Sequence, residues 1–107
     1  MHSAKKQKIS RLTKLTFTLS NSNRATVTAE GEVPTGGWKE PELANERVGD
    51  GITHLDFDAV PPGAGTDVIS AISAHKVFIL GSEPREITVH SQTNEMSIAL
   101  PSIGDPI

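Results

Sequence analysis

A strict alternation of side chains in residues 24–33 constrains the fold of this chain more than any other feature. Every even-numbered position there is polar, and the odd-numbered positions are apolar or small: Ala25, Val27, Ala29, Gly31 and Val33. Successive side chains of a β-strand leave on opposite faces, so a period of two predicts a strand with one buried face. The fold must therefore cover one side of this strand.

The same period of two recurs along most of the chain. Further alternating runs are residues 15–19, 54–59, 87–91 and 96–100. Polar turn residues at 20–23 and 92–94 predict two hairpins, one between the first two strands and one between the last two. Leu12 is out of phase with Leu15, which predicts either a strand that starts after Leu12 or a β-bulge between them.

Residues 61–80 contain a strand end and an ambiguous segment. Pro61 and Pro62 end the strand before them, because proline cannot donate a ladder hydrogen bond. The sequence favours extended structure in residues 68–80, as one strand, a bend at residues 73–74 and a second strand from His75. The alternative is a short helix over residues 67–74 with Asp67 as its N-cap.

These patterns predict an all-β fold, an antiparallel immunoglobulin-like β-sandwich of about seven strands. Only the architecture is meant, because the chain has no cysteine and thus no inter-sheet disulfide. The missing cysteines also exclude thiol catalysis and thiolate metal sites. We expect one sandwich domain over residues 11–100, a flexible basic tail over residues 1–10 and a C-terminal tail over residues 101–107.

Charge is distributed unevenly along the chain. Six Lys or Arg and no acidic residue precede Glu30, whereas four basic and thirteen acidic residues make up the rest of the charges. Five of the basic residues form an N-terminal basic arm: Lys5, Lys6, Lys8, Arg11 and Lys14. This arm has no interleaved aromatic residue for base stacking, and the acidic remainder of the chain would repel phosphates. No nucleic-acid partner is therefore expected. The longest apolar run, residues 77–80, is far shorter than the roughly 20 residues of a membrane helix, so no membrane span is expected either.

The least regular segment, residues 33–43, is the best candidate for a binding loop. It holds two prolines, two glycines and the only tryptophan. Its candidate binding residues are Gly36, Gly37, Trp38, Pro41 and Leu43, and the loop at residues 61–66 is expected to assist them. The sequence favours Trp38 as a plug at one end of the core, and the alternative is an exposed anchor for a ligand.

His54, Asp56 and Asp58 lie on one face of a predicted strand, each two residues from the next. Imidazole and carboxylate groups of this kind can bind a divalent cation, which would suit a metal-dependent hydrolase. The sequence nevertheless favours a solvated polar face opposite the apolar side of the strand, with no metal and no cofactor. No catalytic motif accompanies these residues, so no catalytic residue is assigned and a non-enzymatic protein is expected.

Several short segments resemble those of small exported bacterial proteins of unknown function. The segments are residues 35–38 with Pro41 and Leu43, 50–52, 56–59, 61–62, 87–90 and 93–94. This resemblance implies a periplasmic or secreted protein whose signal peptide has been removed, since residues 1–14 are too polar to form one. It implies no catalytic residue and no ligand.

The function expected from the sequence is a β-sandwich binding module that contacts a protein or a glycan through its Gly- and Pro-rich loops. The alternative is a structural or assembly subunit that acts by pairing of strand edges. Oligomeric state and the identity of the partner stay open at this stage.

Overall fold

Eight β-strands form the fold in a computed structural model that describes residues 5–20, 23–64 and 67–102. They are β1 (Gln7–Lys8), β2 (Arg11–Ser20), β3 (Arg24–Val33), β4 (Lys39–Gly49), β5 (Ile52–Val60), β6 (Ser70–Ile79), β7 (Arg85–His90) and β8 (Glu95–Leu100). The described ranges contain no helix, which confirms the all-β prediction. Accordingly, none of the described residues form a helix long and apolar enough to cross a membrane.

The first sheet is built around β5. Strand β4 pairs with one edge of β5, while β7 and the short β1 share the other edge, and β8 pairs with β7. Strands β5 and β7 run parallel, so the prediction of an antiparallel fold is wrong for this sheet. The parallel pair arises because β6, between them in sequence, belongs to the other sheet and returns the chain in the direction of β5.

The second sheet contains β2, β3 and β6 in antiparallel order. The odd-numbered positions of β3 are all buried, as the alternation predicts. The β2–β3 and β7–β8 hairpins are confirmed, and a register shift between Leu12 and Lys14 shows that the bulge interpretation is correct. Strand β5 ends at Val60, immediately before the two prolines.

Both sheets contribute to a single core. Its largest fully buried side chains are Phe57, Ile9, Leu12, Leu55, Ile87, Leu100, Val27, Val33 and Val89. Strand β6 contributes Ala74 and Phe78 and continues without interruption from Ser70 to Ile79. The helix alternative for residues 67–74 is therefore wrong, and the expected bend at residues 73–74 is absent from this described strand.

Strand β4 was not predicted from the sequence, and its first residues lie in the irregular segment 33–43. Its pairing with β5 shifts register twice, between Lys39 and Glu42 and between Ala44 and Arg47. Glu40 and Asn45, which lie inside these shifts, have positive φ angles of 55°. Extra residues at bulges change which side chains face the core, so the sequence of β4 does not alternate between apolar and polar residues.

The N-terminal segment departs from the expected tail over residues 1–10. Residues 1–4 lie outside the described part, but Gln7 and Lys8 pair with β5 and Ile9 is fully buried. The Ile9 amide donates to the Phe57 carbonyl at 3.0 Å, and the Gln92 amide donates to the Ile9 carbonyl at 2.9 Å. The chain crosses between the sheets here because burial of the Ile9 side chain removes its apolar surface from water, which stabilises the fold.

The β7–β8 turn holds this crossing in place. The Leu12 amide donates to Asn94 Oδ1 at 2.8 Å, and Asn94 Nδ2 donates to the Leu12 carbonyl at 3.0 Å. The side-chain amide thereby replaces a strand partner at the β2 bulge, where backbone pairing with β3 is interrupted. At the other end of the chain, Pro101 and Ser102 lie outside any strand, and residues 103–107 fall outside the described part.

Candidate functional site

The two loops expected to bind a ligand meet at one end of the molecule. We define the loop end as residues 34–38 of the β3–β4 loop and residues 61–64 and 67–69 of the β5–β6 loop; residues 65 and 66 are not described. Gly37 has a φ of 94°, and a Cβ atom at this position would lie 3.2 Å from Cβ of Pro62. Glycine is thus required by backbone conformation and by the close approach of the two loops.

Trp38 combines features of both interpretations made from the sequence. Its side chain is half-buried and packs against the core. The indole N–H donates to Oγ1 of Thr35 at 3.1 Å, so its polar edge is satisfied within its own loop. These contacts hold the β3–β4 loop against the core. The indole ring is therefore only partly accessible to a ligand.

The remaining two candidates of the loop lie on β4. Pro41 is exposed on this edge strand, where the lack of an N–H costs little. Leu43 is 5% exposed and belongs to the core, which corrects its assignment as a binding residue. It faces inward because its register partner is Phe57, on the apolar face of β5.

An apolar pocket lies beside the loops, at residues that the sequence analysis did not select. Val33, Pro34 and Ile69 form its apolar lining, Ser10, Arg11 and Glu32 complete it, and its volume is about 420 Å³. Val68 and Ile69, which precede β6, are 61% and 69% exposed. Two adjacent aliphatic residues directly before a strand are a sequence signal, but we assigned them to the strand itself.

The three polar residues on β5 do not converge on one point. His54 contacts His90, whereas Asp56 and Asp58 accept hydrogen bonds from residues of β4. Arg47 binds Asp56 through two hydrogen bonds of 3.1 and 3.2 Å, and Asn45 Nδ2 donates to it at 3.0 Å. No group of three or more His, Asp or Glu in the described ranges is placed to hold a metal ion.

Asp56 and Asp58 are both buried, contrary to the expected solvated face. Burial opposes ionisation of Asp56, but hydrogen bonds from Arg47 and Asn45 and the charges of Arg47 and Lys8 outweigh it and lower its pKa. For Asp58, burial and then the negative charges of Asp56 and Glu42 raise the pKa. The pKa values of these two carboxyl groups on one strand are therefore shifted in opposite directions.

The basic arm neutralises this acidic face. Lys6 forms an ion pair with Glu42, and Lys8 Nζ lies 4.0 Å from Asp56 Oδ1. The register places Lys8 directly opposite Asp58. The positive N-terminal residues therefore lie against the negative residues of β4 and β5, which explains the uneven charge distribution in structural terms.

Replacement of Asp56 or Asp58 by asparagine should change stability with opposite pH dependences. Because the pKa of Asp56 is lowered, its stabilising contribution is present above the ordinary value of 3.8 and is lost as pH falls through its folded-state pKa. Because the pKa of Asp58 is raised, its penalty grows as pH rises from 3.8 through its folded-state pKa. At neutral pH, Asp56→Asn should lower the free energy of unfolding by about 1–3 kcal/mol. Asp58→Asn should be neutral or stabilising there.

Urea unfolding of both variants and the unmodified chain, from neutral pH to about pH 3, measures these effects. The destabilisation by Asp56→Asn should shrink in acid, and any gain from Asp58→Asn should disappear there. A common pH dependence for the two variants would contradict the assigned environments.

His54 is paired with His90 of β7. Nδ1 of His54 lies 2.9 Å from Nε2 of His90, and the ring planes differ by 21°. Nδ1 of His90 lies 3.4 Å from Oε1 of Glu95, so the three side chains form a row on the outer face of the first sheet. His90 was not among the candidates selected from the sequence, because nothing local to either histidine indicates that β5 and β7 are neighbours.

Comparison with known proteins does not identify a function for these residues. No protein-family model matches the chain, and neither a curated protein nor a solved structure is significantly similar to it. The function is therefore argued from the geometry of its own residues.

Proposed function

We propose that this chain is a non-enzymatic, exported protein-binding module that uses the loop end and its apolar pocket. In this proposal the two sheets act as an immunoglobulin-like scaffold that presents loops from one end. The observation that carries it is Ile69, which is 69% exposed, lines the pocket together with Val33 and Pro34, and directly follows the exposed Val68. Adjacent exposed aliphatic side chains beside an apolar cavity are typical of a protein interaction site.

The chemistry of the pocket favours an apolar side chain of a protein over a glycan. Arg11 Nε donates to Glu32 Oε1 at 2.9 Å, so the two charged groups at the rim are paired with each other. A glycan site needs free hydrogen-bonding groups and an open aromatic face, whereas Trp38 is half-buried and its N–H is bound to Thr35. An aliphatic or aromatic side chain could enter between Pro34 and Ile69 without breaking any of these bonds.

A phage-displayed library of random linear peptides, selected on the immobilised protein, tests this proposal. Peptides that bind through the pocket should carry an apolar anchor and should bind Ile69→Asp at least about tenfold more weakly than the unmodified chain, because a buried charge is costly. Val77→Asp is the matched control, since Val77 is 50% exposed on the second sheet, away from the pocket. Failure to select any peptide, or equal binding to Ile69→Asp, would overturn the proposal.

Edge pairing is the second candidate, favoured by a separate observation. Strand β6 pairs with β3 along one edge, and its outer face exposes Val77 and Ile79. Strand β4, at the border of the first sheet, is instead interrupted by Pro41 and two register shifts, which discourage pairing. Sedimentation of the same variants separates the candidates: concentration-dependent association that Val77→Asp abolishes and Ile69→Asp leaves intact would favour assembly through β6.

A further inference from the structure

We propose that His54 and His90 form a binding site for a divalent transition-metal ion of the zinc class, with Glu95 positioning His90 for coordination. The site lies on the outer face of the first sheet, on β5, β7 and β8, and is independent of the loop end. It uses one of the three residues considered as metal ligands from the sequence, His54, and replaces the two aspartates with an imidazole from a neighbouring strand.

The two donor nitrogens lie nearly as close as two ligands of one metal ion. Nδ1 of His54 and Nε2 of His90 are 2.9 Å apart. Two imidazole nitrogens bound to one zinc ion at 2.0–2.1 Å in a tetrahedral arrangement are separated by about 3.3 Å. The two rings therefore need to open by less than half an ångström and rotate so that both lone pairs point to one side.

Glu95 orients the ring of His90. Its Nδ1 lies 3.4 Å from Glu95 Oε1, and because a proton on Nδ1 would face this carboxylate, we assign Nε2 of His90 as the nitrogen that presents its lone pair to His54. A carboxylate that binds the far nitrogen of a histidine is the usual outer partner of a metal ligand, and it also raises the basicity of the ligand. Glu95 comes from β8, which pairs with β7 at His90 and so fixes this contact.

One hydrogen bond joins the two facing nitrogens. With Nε2 of His90 as acceptor, Nδ1 of His54 is the donor of the 2.9 Å bond. A metal ion takes the place of that proton: the His54 proton moves from Nδ1 to Nε2 through solvent, and both facing nitrogens become ligands. The exchange needs no other reactant and leaves both rings neutral.

The surroundings permit a cation to approach. The His90 side chain is 23% exposed and that of Glu95 65% exposed, so water can complete the coordination of a site with two protein ligands. Arg47 is the register partner of His54, but two hydrogen bonds to Asp56 neutralise its charge. Asp56, the register partner of His90, is itself paired with Arg47 and lies 4.0 Å from Lys8 Nζ, whereas Glu95 contacts His90 directly and attracts a cation.

Zinc titration in a background that lacks the other imidazoles tests the proposal. The chain has four histidines, so His2→Asn with His75→Asn leaves only the proposed pair. One equivalent of zinc chloride, at about pH 7.5 where free imidazole is largely neutral, should saturate the site. The ¹⁵N resonances of both remaining rings should shift together, and the melting temperature should rise.

Three variants in that background identify the ligands. His54→Asn and His90→Asn should each abolish the coupled shift, and Glu95→Gln should weaken zinc binding about 10–100-fold. Circular dichroism without zinc verifies that each variant is folded, and these rings are not in the core. Shifts confined to one ring, titration without saturation, or affinity unchanged in Glu95→Gln would overturn the proposal.

Discussion

Replacement of Ile9 by alanine should lower the free energy of unfolding by about 2–5 kcal/mol, the range for truncation of a buried aliphatic side chain. Ile9 is fully buried between the sheets, where it packs among Leu12, Phe57 and other core residues. The variant leaves a cavity that the surrounding strands fill only in part. Equilibrium unfolding in urea, with the slope verified to be unchanged, measures the loss.

Ile69→Ala is the matched control for this experiment. The chemical change is the same, but Ile69 is 69% exposed, so its stability should change by no more than about 0.5 kcal/mol. If residues 1–10 formed the flexible tail expected from the sequence, both variants would unfold at the same urea concentration. That outcome would contradict the crossing of the chain through the core at Ile9.

Gly31→Ala should be the second strongly destabilising substitution, with a loss of about 1–3 kcal/mol from overpacking. A Cβ atom at Gly31 would overlap Cδ1 of Ile9 and would lie 2.5 Å from the carbonyl oxygen of Arg11. The second of these atoms belongs to the backbone of β2, which cannot move without disturbing the pairing of β2 with β3. Thermal and urea unfolding both measure the effect.

Gly81→Ala is the control, since a Cβ atom there meets nothing within 4 Å. It should be neutral or slightly stabilising, because alanine restricts the unfolded chain. Ile9→Val removes Cδ1, so the Ile9→Val and Gly31→Ala double variant should lose less than the two single losses added together. Strict additivity, or a Gly31→Ala variant as stable as Gly81→Ala, would show that the close contact is misplaced.

Much of the fold follows from local patterns, and the missing parts have physical reasons. The β3 strand and the end of β5 before Pro61 were predictable because alternation and proline act within a few residues, and the phase of Leu12 gave the bulge as one of two alternatives. The β4 strand was missed because bulges at Glu40 and Asn45 erase its alternation. Asp50 and Gly51, both with positive φ, did carry a hairpin signal that could have located it.

Pairing between distant strands was not predictable from these patterns. Nothing in the sequence around His54 or His90 indicates that β5 and β7 lie side by side, because partners in a parallel pair are set by the connection through the second sheet. The same holds for Ile9, an apolar residue among lysines, whose burial depends on the space left by Gly31. The meeting of the two glycine- and proline-rich loops was foreseen in part, whereas Val68 and Ile69 were not selected.

Amide chemical-shift mapping with a selected peptide is the most direct test of the proposed binding surface. A ¹⁵N-labelled sample titrated with that peptide should show its largest shifts at Arg11, Glu32, Val33 and Ile69, the residues around the apolar pocket. The shifts should vanish in Ile69→Asp and persist in Val77→Asp. Largest shifts at Val77 and Ile79, or on the outer face around His54, would contradict binding through the loop end.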